Sequence, residues 1–526
     1  MRLAARLTPA LAVAAAIGLG GLVRAPAHAV AAPSCAFNDL HGGALTLTAT
    51  TVTPADGPQF VVCDGKVRSF DGTPLHVNIT LPTIQTSTCV SPLTSCPPPL
   101  LMFLSGWSND ICQFESTSVA GYVIIDGKEQ PTPYNGCADF IGHAGYKWNN
   151  AWAASQGFVS LNYTPRGWYE SCGKNAQTGY TYATDTTCSD TTGEESWVHL
   201  YDRRYEIRDA QYMAALLANA GVVDPSRIVT TGDSGGGGPS WDLALSRDQV
   251  AALDSTPSAV HTCPWTTVSV TTCNTTQTTA SGTPLHLIAA LPMYTWTDLV
   301  DSLMPNGRSA LGGFTGAPPD GSHVSPVGVE KASYVSGLFA KGLSNVPGQP
   351  QDSAQYSAPG NDPSADLQTW FAEINAGEPT FGANPDSANV IAQIGGPLRS
   401  AFAMPVPADN SQQGALNTEK PTYVIQGITD PLFPANQAFT MINRLKDPAQ
   451  GGDPNYPVYG FFGDIGHSYA DNPLDVWQQA HNTGDAWLLS VLSGNIHPST
   501  VPITVDTTRC VSGQTLQTFT GASLDA

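Results

Sequence analysis

Apolar and polar positions follow two rhythms along the chain, and the places where one gives way to the other outline its elements. Over 44–53, 60–70 and 75–81 the period is two, with many β-branched residues, which predicts an antiparallel lead-in of strands. Short apolar runs then predict buried strands at 100–104, 158–163, 227–231, 285–292, 422–426 and 458–462. Between them the spacing turns helical, at 147–155, 239–245, 296–303 and 477–492. The clearest helix is 202–220, where Tyr205, Ala210, Met213, Leu216 and Leu217 fall near one face and Gly221 follows as a stop. Buried strands alternating with helices predict a mostly parallel sheet with helices on both faces. From about 306 to 413 the texture changes. Gly, Pro, Ser and Asp punctuate short helical pieces at 331–343 and 365–374, which predicts an inserted helical cap. The expected organisation is a core split into 30–305 and 414–494, the cap over 306–413, and a polar, Pro- and Thr-rich tail over 495–526.

Residues 1–29 are expected to be lost. Arg2 and Arg6 precede an apolar stretch from 7 to 23, and Ala27-His28-Ala29 supplies a small-residue cleavage site, the pattern of a secretory signal. No later stretch is long and apolar enough to span a bilayer, so a secreted, extracellular or periplasmic protein is expected. Eleven cysteines in such a chain point to disulfides. The near pairs are Cys35 with Cys63, Cys89 with Cys96, Cys112 with Cys137, Cys172 with Cys188 and Cys263 with Cys273, leaving Cys510. A net charge of −21 argues against nucleic acid or an anionic membrane as partner. No Cys or His spacing suggests zinc, and neither a metal nor an organic cofactor is expected. Asn78, Asn162 and Asn274 begin N-x-T sequons.

The densest chemical signal is Gly232-Asp233-Ser234-Gly235-Gly236, lying between the strand at 227–231 and the helix at 239–245. Strand, G-x-S-x-G, helix is the nucleophile elbow of the α/β-hydrolase fold, a turn too tight for side chains on its flanks. The same letters surround the serine of trypsin-like proteases. That fold is all-β and needs a histidine in an Ala-Ala-His-Cys setting upstream, which His41, His76, His143 and His199 lack. In the α/β-hydrolase order the acid and then the histidine follow the serine. Asp430 stands in the loop after the strand at 422–426, and His467 in the loop after the strand at 458–462. Ser234 is therefore the expected nucleophile, His467 its base and Asp430 the residue that orients the imidazole. Asp464 is a rival acid, and His481 is expected to be structural. The oxyanion donors expected are the N–H groups of Gly235 and of Trp107, in the loop Ser105-Gly106-Trp107-Ser108.

Several further segments carry a resemblance. Ser69-Phe70-Asp71-Gly72-Thr73-Pro74-Leu75, Asn162-Tyr163-Thr164-Pro165-Arg166-Gly167-Trp168, the run from His199 to Asp209, and Tyr294-Thr295-Trp296-Thr297-Asp298-Leu299 with Pro305-Asn306-Gly307-Arg308 are similar to segments of one family. Over about 67–492 the chain resembles the Xaa-Pro dipeptidyl-peptidase and cocaine-esterase-like (CocE/NonD-type) hydrolases. The resemblance implies serine hydrolysis of an ester, or of an amide or short peptide, under the cap. The chain departs from that pattern in having Gly235 where a tyrosine often follows the serine. Some members use a tyrosine side chain in the oxyanion hole, where Trp107 can supply no hydroxyl, and too few residues follow His467 for the jelly-roll domain that many members carry. An Xaa-Pro aminopeptidase and a catalytically silent binding protein are the alternatives. Arg166, Arg203 and Arg204 are expected to tie loops to acids such as Glu194, Glu195 or Glu206. Oligomeric state is left open.

Overall fold

The computed structural model describes residues 34–83, 97–125, 128–133, 146–171, 196–276, 281–305, 328–343, 356–357, 359–376, 385–404, 419–496, 503–506 and 517–521. The expected signal segment, most of the expected tail and the expected pairs Cys89–Cys96 and Cys172–Cys188 lie outside them. Its spine is an 11-stranded sheet. In chain order the strands are β1 (Thr48–Val52), β2 (Phe60–Arg68), β3 (Pro74–Pro82), β4 (Leu100–Leu104), β5 (Val159–Tyr163), β6 (Ile228–Asp233), β7 (Leu287–Met293), β8 (Thr422–Gly427), β9 (Val458–Gly463), β10 (Ile503–Asp506) and β11 (Thr518–Gly521). Across the sheet they run β11-β10-β9-β8-β7-β6-β4-β5-β3-β2-β1. Strands β5, β4, β6, β7, β8, β9 and β10 are mutually parallel; β1 to β3 form the antiparallel lead-in, and β11 returns antiparallel at the far edge.

The crossing of β4 and β5, with sequential order from β6 to β9, is the α/β-hydrolase fold. A parallel sheet also excludes the trypsin-like arrangement. Strands β4, β5, β6 and β8 are buried along their whole length, as strands covered on both faces must be. The covering helices are α1 (Asn150–Ser155), α2 (Glu206–Asn219), α3 (Gly237–Ser246), α8 (Asn436–Lys446) and α9 (Leu474–Leu492). Among the described residues, four more α-helices fall between β7 and β8: α4 (Leu299–Leu303), α5 (Ala332–Leu343), α6 (Leu367–Asn375) and α7 (Pro385–Gly395). After α2 the chain turns at Gly221, whose φ of +69° is the left-handed conformation that glycine adopts without a Cβ penalty.

Strands β10 and β11 lie inside the segment expected to be a tail. They pair with β9 and with each other and extend the sheet by two strands. The bonds Cys35–Cys63 and Cys263–Cys273 form as paired above. Cys112 is also disulfide-bonded, and its expected partner Cys137 lies outside the described residues. No helix among the described residues is long and apolar enough to cross a membrane. Asn78 and Asn162 face each other across β3 and β5 and are buried, so of the three sequons only that of Asn274 is exposed.

The described partners of these arginines hold loops together, and two of the acids expected for them, Glu194 and Glu195, lie outside the described residues. Buried Arg166 pairs with Asp71 at 2.8 Å and Asp209 at 2.6 Å, and Arg204 pairs with Asp202 at 2.7 Å. Arg203 donates to the Pro397 carbonyl at 3.2 Å and sits in the field of buried Asp242. Beside the Ile111–Phe114 turn, fully buried Glu115 takes hydrogen bonds from the side-chain amides of Asn150 and Asn162. Burial raises its pKa to about 8. A carboxyl raised on folding contributes fully below the ordinary glutamate pKa and loses that contribution as pH climbs through its folded value. Thermal stability should therefore decline between about pH 5 and about pH 9, and Glu115→Gln should flatten that decline. Melting curves across this range check it; an unchanged slope in the variant would contradict the assignment.

Candidate active site

Strand register brings the functional loops together. Gly232 of β6 pairs with Leu104 of β4, so the loop 105–108 leaves the sheet beside Ser234. Asp233 pairs with Met293, which sets Tyr294 and Thr295 on the other side of the serine. Gly427 pairs with Gly463, so the loops carrying Asp430 and His467 emerge side by side. All these exits are at the carboxyl ends of parallel strands, where open α/β sheets form their crevices.

At Ser234 the backbone is left-handed, with φ of +47°, a conformation that costs a non-glycine residue on the order of 1–2 kcal/mol. Its neighbours explain how the strain is held. A Cβ on Gly236 would stand 1.8 Å from the Leu104 carbonyl oxygen, and one on Gly232 would stand 2.6 Å from it. The elbow thus packs backbone to backbone against β4. The Thr295 hydroxyl donates to the Ser234 carbonyl at 2.6 Å and pins the turn from the opposite side. Helix α3 starts immediately afterwards, with its N-terminal N–H groups toward the site.

The three expected residues meet. Ser234 Oγ lies 2.6 Å from His467 Nε2, and His467 Nδ1 lies 2.8 Å from Asp430 Oδ2. Oδ2 also accepts the His467 backbone N–H at 3.2 Å, while Oδ1 accepts the N–H groups of Leu432 and Phe433 at 2.8 and 3.0 Å. The Asp430 side chain is wholly buried and that of His467 is 17% exposed, so the imidazole is reachable and its acid is not. Phe433 and Tyr294 pack edge-on against the imidazole at 5.1 and 5.2 Å. Asp464 does not touch His467. Its Oδ1 accepts from Thr429 Oγ1 and the Asp471 N–H. His481 is buried on α9, facing the Tyr146 carbonyl at 2.5 Å.

A Cβ on Gly235 would lie 2.5 Å from the Trp107 amide nitrogen and 2.3 Å from the Tyr201 hydroxyl. Gly235 and the Trp107 amide are thus close neighbours, and no tyrosine fits at 235 because Tyr201 fills that space. The Trp107 indole donates to the Leu338 carbonyl of α5 at 2.9 Å, joining this loop to the inserted helices. Those helices are also tied to the start of α2. Arg399 pairs with Asp202 at 2.9 Å and donates to the His199 carbonyl at 2.9 Å, while Trp197 Nε1 donates to Asp362 at 2.9 Å.

Beside Gly235 lies a cavity of about 120 Å³. Trp107, Tyr201, Trp296 and Phe433 wall it from the sheet side; Leu338, Phe339, Trp370 and Phe371 wall it from the inserted helices. Among the described residues lining it, none carries a charge. Apart from Trp107, the sequence gives no local sign of Tyr201 or of these walls, because their contacts join segments far apart in the chain. No group of three or more His, Cys, Asp or Glu side chains among the described residues could hold a metal ion.

Among solved structures, the chain is similar to a CocE/NonD family hydrolase from Staphylococcus aureus. Identity is 10% and the TM-score 0.45, over 93% of this chain and 61% of that one. It is similar to an acetyl xylan esterase from Paenibacillus sp. R4, at 13% identity and a TM-score of 0.37, over 83% and 87% of the two chains. A puromycin-hydrolyzing peptidase of Mycobacterium tuberculosis is similar at 14% identity and a TM-score of 0.37, over 84% and 45%. The chain thus spans less than two thirds of the length of the first and third of these proteins. No protein-family profile matches it, and neither does any curated protein. The fold stands on strand order and the elbow, not on these likenesses.

Proposed function

We propose that this chain is an exported serine hydrolase that cleaves esters bearing an uncharged, apolar group. The observation that carries the reading is the hydrogen-bonded run from Ser234 Oγ through His467 to Asp430, set beside a cavity without a charged wall. Ser234 Oγ attacks the ester carbonyl while His467 Nε2 takes its proton. Asp430 holds the imidazole by Nδ1–H and stabilises the imidazolium. The N–H groups of Gly235 and Trp107 receive the developing oxyanion. The imidazolium then protonates the leaving alcohol, and a water molecule repeats the sequence to release the acid from the acyl-enzyme. Helices α5 and α6, which supply Leu338, Phe339, Trp370 and Phe371 to the cavity wall, serve as its cap. Export is supported by the signal-like start and by disulfides, which persist in oxidising compartments.

An Xaa-Pro aminopeptidase would need a carboxylate to receive the substrate's ammonium group, and the described residues of the cavity lining offer none. A silent binding protein would have no use for the strained, hydrogen-bonded serine. A cavity of this size is comparable to one that holds a single benzene ring, roughly 150 Å³. Nitrophenyl esters with acyl chains of about four to six carbons, or a benzoyl group, should therefore turn over faster than the acetate, and an Xaa-Pro-anilide should not be cleaved. Side-by-side kcat/KM values test this. Preference for the anilide would overturn the ester reading in favour of the peptidase.

A further inference from the structure

The elbow and the loop 105–108 belong to different strands, and one side chain spans the gap between them. Gln113 lies on the Ile111–Phe114 turn, which is fixed by the Asp110 carboxylate accepting the Cys112 N–H at 2.8 Å and by the disulfide of Cys112. Gln113 Oε1 accepts the Gly106 N–H at 2.6 Å. Its Nε2 donates to both carboxylate oxygens of Asp233, each at 2.6 Å. Asp233 is only 2% exposed, immediately precedes Ser234, and also accepts the Tyr294 hydroxyl. Chemistry fixes the amide's orientation. Turned over, it would set its NH2 against an N–H and its carbonyl against a carboxylate.

We propose that Gln113 is a positioning residue: by holding the Gly106 N–H at one end and the Asp233 carboxylate at the other, it fixes the Trp107 N–H against the Ser234–Gly235 turn. This rests on the serine-hydrolase reading. Oxyanion donors act only if they stand about 2.7–3.1 Å from where the oxyanion forms. Gly106 and Trp107 lie past the end of β4, so no sheet hydrogen bond holds them there. A bond to a buried carboxylate is stronger than one between neutral groups and suits the task. The groups facing Asp233 are Gln113, Tyr294, His467 and Tyr201. Burial pushes its carboxyl up to about 6, so its charge is sensitive to a change of partner.

Two substitutions read this out. Gln113→Met keeps the length and loses all three hydrogen bonds. Its kcat for a nitrophenyl ester should fall roughly 10- to 100-fold with KM within about threefold of wild type. Rates are to be normalised to the number of sites that take up fluorophosphonate, so that unfolded protein does not count. Gln113→Glu sets a carboxylate against a carboxylate and regains a donor only when a proton lies between them. The ratio of its kcat to that of wild type should therefore rise roughly fivefold or more from about pH 8 to about pH 6. A role in stability alone would lower the melting temperature and leave the normalised kcat and that ratio flat. With wild-type Ser234 labelled normally, a Gln113→Met kcat within about threefold of wild type, or a flat Gln113→Glu ratio, overturns the role of Gln113 alone. A wild-type protein that is folded yet unlabelled at Ser234 overturns the serine-hydrolase reading and this proposal with it.

Discussion

Replacing Ser234 with alanine should lower kcat for a good ester by roughly 10⁵- to 10⁶-fold while leaving KM within a few-fold. The loss is that large because Ser234 Oγ is the only atom the proposed mechanism offers for covalent attack. The 2.6 Å contact to His467 Nε2 has no purpose without it. Folding should be spared, since alanine meets the same left-handed backbone that serine does and Thr295 still pins the turn. Residues that act as a unit lose their effect together. His467→Ala alone should therefore cost about as much as Ser234→Ala, and the double variant should be no worse than either. Steady-state rates of purified, folded variants check both statements. A drop of only about tenfold in Ser234→Ala would mean that another nucleophile does the work.

Asp430→Asn should be the next most damaging change, lowering kcat roughly 10⁴-fold. All the hydrogen-bonded neighbours of Asp430 present N–H groups: His467 Nδ1 and the His467 backbone toward Oδ2, Leu432 and Phe433 toward Oδ1. A carboxylate answers all four. An asparagine must point its NH2 at one pair, in either orientation. With the NH2 toward His467 the imidazole is driven to the tautomer that carries its proton on Nε2, where it can no longer accept from Ser234. With the NH2 toward Leu432 and Phe433, two backbone donors lose their acceptor and the loop is destabilised. The melting temperature should fall in either case. The corresponding change at Asp464, which serves Thr429 and the Asp471 N–H, should leave kcat within a few-fold.

How much of this was legible in the sequence depended on how local each signal was. The elbow was legible because a turn that tight leaves glycine as its mark: Gly232 and Gly236 flank the serine where any Cβ would strike the Leu104 carbonyl. Asp430 and His467 were legible as residues in loops after buried strands, in the chain order that this sheet imposes. The edge strands β10 and β11 were not. Ile503–Asp506 is four residues long in a Pro- and Thr-rich stretch, and it pairs with β9 at only two registered positions. Helix α8 lies outside the predicted elements although Ala438, Met441, Ile442 and Leu445 carry helical spacing and are buried. What the sequence concealed was contact between distant segments. Arg166 meets Asp71 and Asp209, which lie 95 and 43 residues away in the chain. Tyr201 takes the space beside Gly235, and Gln113 reaches Asp233. None of these pairs has a sequence spacing that physics could single out.

The central claim is that Ser234 is an activated nucleophile. Incubation of the folded protein with a fluorophosphonate, followed by digestion and mass mapping of the adduct, tests it directly. One adduct per chain is expected on Ser234, formed in step with loss of esterase activity and absent from His467→Ala. Folded protein that takes up no label, or takes it up at another residue while activity is lost, would contradict it.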